Sequence, residues 1–234
     1  GNGQLQWDDA TLTSADMKYK PNVVDAEEST IQIGAIDNDK IAFASYNVES
    51  HVDFTSRIGE FKANEKGKLT DFPFNAYASS MDEYTWDMDA QTITLDKGPL
   101  LASSNSYFVS KRHDQDGLRF LSDKAVFDMK EGVIHAENVP YIDVADSRAF
   151  PFEGNVSIEE NAEMRPLEQS RLLANRDDKY HEIFDATLKI EGRYALGGEG
   201  SYIYKDKHET KQDISIKELY VKGDSTVMGK GYVK

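Results

Sequence analysis

Two stretches of the chain begin and end alike: ENVPYIDVADSR at residues 137–148 and ENAEMRPLEQSR at residues 160–171. Each opens on Glu-Asn and closes on Ser-Arg, and we call the step from Glu137 to Glu160 the short interval. The same interval separates Phe127 from Phe150 and Phe150 from Leu173. A chain that returns to one azimuth every ~20–30 residues stacks equivalent side chains on adjacent repeats. We therefore predict one inward apolar ladder of these three side chains.

Other residues recur at nearly the same interval. Asn138, Asn161 and Asp185 are expected at a recurrent turn, because an Asx side chain can bond to nearby backbone. The Ser-Arg pair that closes both stretches places Arg148 and Arg171 on an expected outward edge. These recurrent residues favour a stack of strand pairs over a chance match within an ordinary strand-rich sandwich.

A second internal match has a longer interval. DEYTWDMDAQTITL at residues 82–95 aligns with DKAVFDMKEGVIHA at residues 123–136, and we call the step from Asp82 to Asp123 the long interval. Both stretches contain an aromatic residue followed by Asp-Met, then an alternating strand pattern. We interpret the long interval as an interruption of the repeat by SKRHDQDG, residues 110–117, which we expect to form a loop.

The stretch DKAVFDMKEGVIHAENV, residues 123–139, resembles the OstA-like repeat of lipopolysaccharide-transport periplasmic proteins. In that repeat a short strand ending in Tyr/Phe-Asp, a Gly turn and an alternating strand are stacked many times. DKYHEIFDATLKIEGR, residues 178–193, is similar to segments of very large Gram-negative envelope proteins. The resemblance spans residues 84–193 and implies a folded-over open sheet, lipid or lipopolysaccharide-like partners, and a periplasmic or envelope location.

Period-two alternation dominates the chain, as in TIQIGAI at residues 30–36 and IAFASYNV at residues 41–48. Turn-forming residues recur about every 8–12 residues, which is typical of a many-stranded β fold. We predict an all-β fold of stacked strand repeats, either an open β-jelly roll (β-taco) or a β-solenoid. A β-rich portion at residues 1–100 would be continuous with a repeat-containing β-stack at residues 101–234. Residues 165–184 are assigned to strands rather than to a helix.

The composition excludes several classes of function. The 234 residues contain no cysteine, so disulfides, thiolate nucleophiles and Cys-type zinc sites are excluded. A net charge of -15 repels phosphate backbones and disfavours nucleic acid as a partner. No run of about 18 apolar residues occurs, so we predict no transmembrane segment.

The sequence shows no catalytic, cofactor or metal motif. The five histidines are dispersed without zinc-ligand spacing, and we expect His135 to decorate a strand face. HDQDG at residues 113–117 opens like a calcium loop but lacks the later Glu and helix, so we interpret it as a plain turn. GRYALGGEG at residues 192–200 matches no phosphate loop and is expected to be a hairpin tip or bulge.

Acidic and aromatic residues alternate in MDEYTWDMDA, residues 81–90. Carboxylate pairs beside stacking rings are what glycosidases use. Alternation, however, places Tyr84 and Trp86 on a packing face and the carboxylates of Asp87 and Asp89 toward water. We therefore expect a structural role for this stretch.

We expect a non-enzymatic segment of an extracytoplasmic bacterial envelope protein, serving as a scaffold or as an apolar groove for lipid-like ligands. Phe127, Phe150 and Leu173 would line that groove, facing a cleft open on one side. Terminal repeats would pair with further β-repeats of the parent chain or of other envelope proteins. The alternatives are a β-solenoid that binds or cleaves polysaccharide, with Trp86 or several Tyr exposed beside two carboxylates, and an adhesion module.

Overall fold

A computed structural model of the chain describes residues 3–36, 39–176, 181–205, 208–222 and 226–233. This part of the chain is all-β, as the alternation predicted, and contains 22 strands and no α-helix. The strands form one large antiparallel sheet, which is open because its end strands do not pair with one another. Four single 3-10 turns lie between strands: Pro99–Leu101, His113–Gln115, Phe152–Gly154 and Glu160–Ala162.

The strands are numbered in chain order. The first eleven are β1 (Gly3–Trp7), β2 (Ala10–Ser14), β3 (Asp16–Lys20), β4 (Val23–Gly34), β5 (Ile41–Asp53), β6 (Ile58–Ala63), β7 (Thr70–Phe72), β8 (Tyr77–Ser79), β9 (Glu83–Asp87), β10 (Thr92–Asp96) and β11 (Tyr107–Ser110). The others are β12 (Arg119–Leu121), β13 (Lys124–Asp128), β14 (Val133–Glu137), β15 (Ile142–Val144), β16 (Ser147–Phe150), β17 (Val156–Ile158), β18 (Leu167–Ala174), β19 (His181–Gly192), β20 (Ala195–Lys205), β21 (Lys211–Val221) and β22 (Val227–Val233).

The sheet folds over itself into two facing ladders. Ladder one runs β6–β9–β10–β13–β14–β17. Ladder two runs β7–β8–β11–β12–β15–β16–β18 and continues in order to β22. The long strands β4 and β5 belong to both ladders. One half of β5 pairs with β7 at Ala44, and the other half pairs with β6 from Val48 onward.

The bends in these two long strands have a local cause. The pairing of β4 with β5 shifts register between Ala26 and Ser29 and again between Ser29 and Thr30. Glu28 and Asn47, at the bends, adopt left-handed conformations with φ of 46° and 55°. An extra left-handed residue in one strand is an ordinary way to bend an antiparallel ladder. The bend lets one pair of strands serve two facing ladders.

Hairpins alternate between the ladders along the chain. Hairpin β9–β10 lies in ladder one, β11–β12 in ladder two, and β13–β14 again in ladder one beside β9–β10. The stretches related by the long interval are these two neighbouring ladder-one hairpins. Their inward side chains Trp86, Ile93, Phe127 and Ile134 lie opposite one another on successive strands and are all buried. The long interval is therefore the structural repeat. The loop at residues 110–117 contains the turn of hairpin β11–β12, and this hairpin is the ladder-two half of the repeat.

The ladder-one hairpins share one turn. In each, a carboxylate oxygen accepts hydrogen bonds from the backbone N–H groups two and three residues further on, at 2.7–3.4 Å. The three turns begin at Asp53, Asp87 and Asp128. Such a turn satisfies backbone donors that the ladder leaves free. It explains the Asp in the internal match and adds a third, unrecognised copy at Asp53.

Each turn also bonds to the turn of the next hairpin. At the same position of the first two turns, Arg57 and Gln91 adopt left-handed conformations with φ of 57° and 59°. The Arg57 carbonyl accepts from the backbone N–H of Met88, and the Gln91 carbonyl accepts from that of Met129, both at 3.0 Å. Gly132 holds the equivalent left-handed position in the third turn. Main-chain bonds between turns thus continue the ladder to its outer end.

Aromatic rings fill the space between the ladders. Phe72 of ladder two meets Phe127 of ladder one with ring centroids 5.6 Å apart, and Phe43 meets Tyr84 at 5.5 Å. Both pairs are edge-to-face, which is a favoured geometry for ring pairs. All four side chains are at most 2% exposed. Burial of each such ring stabilises the fold by about 1.5–3 kcal/mol.

The chain crosses between the ladders along one side, which we call the spine (residues 80–82, 97–106, 122–123 and 138–141). Crossing segments lie outside the ladders, so side chains must serve their backbone groups. The buried Ser122 hydroxyl lies 2.8 Å from the carbonyls of Lys124 and Glu137, on neighbouring strands. The Ser106 hydroxyl donates to the Ser122 carbonyl at 2.5 Å. Buried serines therefore mark the spine.

The predicted ladder of Phe127, Phe150 and Leu173 is wrong. Phe127 points into the interior from ladder one. Phe150 on β16 and Leu173 on β18 lie in ladder two, half-buried on its outer face, where they are diagonal neighbours. The physical reason is that the step from Phe127 to Phe150 carries the chain from ladder one to ladder two. The next short interval, from Phe150 to Leu173, stays within ladder two, so these two side chains share its outer face.

The predictions for the other residues that recur at nearly the short interval have mixed outcomes. Asn138, Asn161 and Asp185 all adopt left-handed conformations, with φ of 56°, 55° and 44°. They lie at different places, namely the spine, a 3-10 turn and a bulge within β19, so they do not form one column. Arg148 and Arg171 do lie together on the outer face of ladder two, as expected. The described part of residues 165–184 contains strand β18 and the start of β19.

Substitution of the two phenylalanines distinguishes inward from outward placement. Phe127→Ala is expected to lower the free energy of unfolding by about 3–5 kcal/mol, because it opens a cavity in the interior. Phe150→Ala is expected to cost about 1 kcal/mol, mainly the lost contact with the Arg171 guanidinium. Urea unfolding followed by circular dichroism measures both. Equal losses would contradict the two placements.

Candidate functional site

The cleft expected to be open on one side is bridged opposite the spine. Hydrogen bonds and ion pairs there join the hairpin turns of ladder one to those of ladder two, and we call this line of contacts the seam. Its central contact is Asn75, in the turn between β7 and β8 of ladder two. This side chain is fully buried, which is costly for an amide unless it is hydrogen-bonded.

Asn75 reaches across to ladder one. Its side-chain amide donates to the carbonyl of Gly132 at 2.8 Å and to that of Ile158 at 3.2 Å. Its backbone carbonyl accepts from the backbone N–H of Ala162 at 2.8 Å. The ring of Phe74 packs so closely on Gly132 that a Cβ there would lie 2.7 Å from a ring carbon. The two ladders are therefore in direct contact at this point.

The seam continues toward the C-terminal strands. The Gln115 side-chain amide donates to the Ala162 carbonyl at 2.8 Å. Beside this contact, turns within ladder two bond to one another: the Gln115 carbonyl accepts from the backbone N–H of Arg193 at 3.0 Å, and the Arg193 carbonyl accepts from that of Ala145 at 2.8 Å. At the other end of the stack, Arg57 bonds to Asp89 at 2.5 Å and lies 3.6 Å from Asp8. Ladder turns are thus joined along most of the stack.

Buried hydroxyl groups support the interior. The Tyr84 hydroxyl donates to the carbonyl of Met81 and accepts from the Thr70 hydroxyl at 2.6 Å. Burial raises the pKa of Tyr84 to about 12, although the Thr70 hydrogen bond acts in the opposite direction. Burial also raises the pKa of Tyr77, at the end of the interior near Phe120. Both rings fill the interior, and both hydroxyls keep their protons at neutral pH.

The acidic–aromatic stretch at residues 81–90 has the arrangement that alternation predicted. Tyr84 and Trp86 are buried, and Trp86 packs against Trp7 with ring centroids 6.0 Å apart. The Asp87 and Asp89 carboxylates lie on the outside, the first in the shared turn and the second paired with Arg57. A buried indole is not available to stack on a sugar ring.

The described histidines and the short Asp-Gly motif are placed as follows. No group of three or more His, Asp or Glu side chains suited to a metal ion occurs within the residues that the structure describes. His135 lies on a strand of ladder one, 3.1 Å from the Ser157 hydroxyl. HDQDG forms the turn between β11 and β12, with Asp116 and Gly117 left-handed and Asp114 bonded to Arg112. Residues 192–200 form the β19–β20 turn and a bulge, as expected.

The outer face of ladder two carries arginines stacked on aromatic rings. The guanidinium carbons lie 3.4–4.4 Å from the ring centroids. The pairs are Arg119 on Tyr107, Arg148 on Tyr141 and Arg171 on Phe150. Arg148 also bonds to Asp143, and Arg171 pairs with Glu182. This face therefore carries three arginine–aromatic stacks in a chain whose net charge is -15.

Sequence reasoning located only part of this surface. It placed Arg148 and Arg171 outward but missed Arg119 and Arg193, because only the folding of ladder two brings these two arginines to one place. Of the three expected groove residues, the sealed Phe127 does not face an open cleft. Phe150 and Leu173 lie on this outer face, where a ligand contact stays a prediction.

No family model, curated protein or solved structure matches the chain. No helix in the described ranges is long and apolar enough to span a bilayer.

Asn75 provides the test of the seam. Asn75→Ala is expected to lower the free energy of unfolding by about 2–3 kcal/mol, because it removes both hydrogen bonds that the side-chain amide donates across the seam. The matched control is Asn64→Ala, since the exposed Asn64 side chain donates a hydrogen bond to the Asn47 side-chain oxygen at 3.2 Å. That change is expected to stay within about 0.5 kcal/mol of wild type. Similar small losses in both variants would show that the seam does not stabilise the fold.

The raised pKa of Tyr84 has a defined consequence for stability. The unfolded chain releases this proton near pH 10 and the folded chain only near pH 12. The contribution of this pKa difference to the free energy of unfolding is fully present below about pH 10 and is lost as the pH rises toward about 12. Denaturant midpoints measured across this range should therefore fall, and less steeply in Tyr84→Phe. Identical slopes for the two proteins would contradict the buried, protonated hydroxyl.

Proposed function

We propose that the chain is a structural scaffold segment of an extracytoplasmic protein of the Gram-negative cell envelope. The observation that carries this proposal is the filled interior, whose rings meet across the two ladders and whose open side is bridged by the seam. A lipid carrier of the groove type needs an apolar trough that an acyl chain can enter. In this chain, side chains of the opposite ladder, such as Phe72, already pack against the inward surface of Phe127 and its neighbours.

The strand arrangement supports the finer assignment of a β-taco. Hairpins alternate between two facing ladders, which is the folded-over sheet that the OstA-like resemblance of residues 84–193 implies. That resemblance also supports the periplasmic or envelope location. The net charge of -15 suits a solvated outer surface.

Unpaired strand edges give the scaffold a way to extend. Among the described strands, β1 pairs only with β2, and β22 pairs only with β21. Met228 and Tyr232 on β22 are 41% and 70% exposed. Exposed edges join further strands through main-chain hydrogen bonds. We infer that β1 and β22 are where additional β-repeats attach.

Polysaccharide processing through Trp86 is not supported, because the indole is buried and cannot meet a sugar ring. Adhesion stays a prediction that rests on the acidic surface and the repeats.

The scaffold and groove proposals differ in one measurable property. A fluorescent fatty acid whose emission rises in apolar surroundings is titrated into the folded chain. The scaffold proposal predicts no saturable binding to wild type. Phe127→Ala, which opens interior space, and Asn75→Ala, which weakens the seam, are the comparison variants. Stoichiometric binding by wild type that is lost in Phe127→Ala would overturn the scaffold proposal in favour of a lipid groove.

A further inference from the structure

A hollow lies on the outer face of ladder two, outside the sealed interior. It has a volume of about 590 Å³ and is bordered by the β11–β12 hairpin, by β15 and by the β19–β20 turn. Its lining includes Val109, Arg119, Leu121, Tyr141, Asp143 and Arg193. This volume falls in the range of small-molecule sites, roughly 300–1,000 Å³.

Arg119 is held in place without using its hydrogen-bond donors. Its guanidinium lies 3.4 Å from the centroid of the Tyr107 ring. Within the described part of the chain, no carboxylate pairs with it and no acceptor takes a hydrogen bond from its guanidinium. Stacking leaves the in-plane N–H groups of an arginine directed outward. Such a fork matches the two oxygens of a carboxylate or the oxygens of a phosphate.

Arg193 is fixed by its backbone rather than by its side chain. Its N–H donates to the Gln115 carbonyl and its carbonyl accepts from Ala145, so both peptide groups are anchored in the seam. Its guanidinium lies 5.4 Å from the Tyr194 ring and, among described residues, has no carboxylate partner. The seam therefore presents a second unpaired guanidinium to the same hollow.

Asp143, the acidic residue of the lining, is already neutralised. Its carboxylate takes two hydrogen bonds from Arg148, at 2.7 and 3.1 Å, and lies 3.3 Å from Arg176. These contacts raise the pKa of Arg148, first through the hydrogen bond. Arginine thus outnumbers carboxylate around this hollow, in a chain whose net charge is -15.

We propose that this hollow binds the carboxylate group of an acidic saccharide. Arg119 and Arg193 would hold the carboxylate, and Tyr141 with Leu121 would offer apolar surface to the sugar ring. The volume exceeds what a lone ion needs, and the lining mixes apolar and polar groups as small-molecule sites do. This proposal does not depend on the scaffold function, because it concerns the outer face and not the interior.

The test uses the whole chain and a galacturonic acid trisaccharide, with the fully methyl-esterified trisaccharide as the neutral match and inorganic phosphate as the free anion. Titration calorimetry should show saturable binding of the acid that weakens with added salt. Arg119→Gln and Arg193→Gln should each weaken it by about tenfold, since each removes one charge-assisted fork. The matched control, Arg171→Gln, alters the same face outside the hollow and should bind as wild type does. Unchanged melting temperatures confirm that the variants fold.

Four results would overturn the proposal. These are absence of binding by the folded wild type, equal binding of the methyl ester, equal loss in Arg171→Gln, and phosphate binding as tight as that of the trisaccharide. The first three remove the carboxylate site, and the fourth removes the saccharide. None of them bears on the acyl-probe experiment, so the scaffold proposal stands or falls separately.

Discussion

The central part of the structure, from β7 to β17, depends on one requirement of the backbone: each hairpin there finds its hydrogen-bond partner two hairpins further along the chain. Hairpin β9–β10 bonds to β13–β14, and the intervening hairpin bonds to members of the opposite ladder. Because buried backbone groups need partners, the chain crosses between the ladders after each of these hairpins. The buried serines of the spine make those crossings possible. The long interval, from Asp82 to Asp123, is the chain length of one hairpin in each ladder.

Two facing ladders leave a space that side chains must fill. Phenylalanine and tyrosine fill it, and ring contacts such as Phe72 with Phe127 connect the ladders through the middle. On the side away from the spine, the turns approach closely enough for Asn75 and Gln115 to bond across. The interior is thereby closed, and interactions with other molecules are left to the outer faces and the strand edges. This is why we place a scaffold role in the stack and a ligand site on its outside.

Much of the fold can be predicted from the sequence, and the failures have physical causes. Period-two alternation identifies the strands, and the match between residues 82–95 and 123–136 contains the true repeat. The short interval misleads because it does not relate equivalent positions: the step from Phe127 to Phe150 changes both ladder and face, whereas the step from Phe150 to Leu173 changes neither. The shared turn can be predicted from the sequence only in part. Gly132 indicates a left-handed residue, whereas Arg57 and Gln91, which hold the same position in their turns, do not. Side-chain identity alone does not reveal a left-handed position that hydrogen bonds between turns impose.

The candidate site was less predictable than the fold. Arg119 and Arg193 are far apart in the sequence, and only the folding of ladder two brings them to one hollow. Arg148 and Arg171 were placed outward by their recurrence, but their stacking on Tyr141 and Phe150 follows from strand pairing. The net charge of the whole chain predicts neither arrangement, because a negative total is compatible with a local surplus of arginine.

The most direct test of the account is the set of nuclear Overhauser contacts made by the Phe127 ring. The two-ladder structure predicts contacts to the Phe72 ring across the interior and to Ile93 and Ile134 on the neighbouring strands. Contacts to Phe150 and Leu173 in their place would contradict it, because they would restore a single column of equivalent side chains.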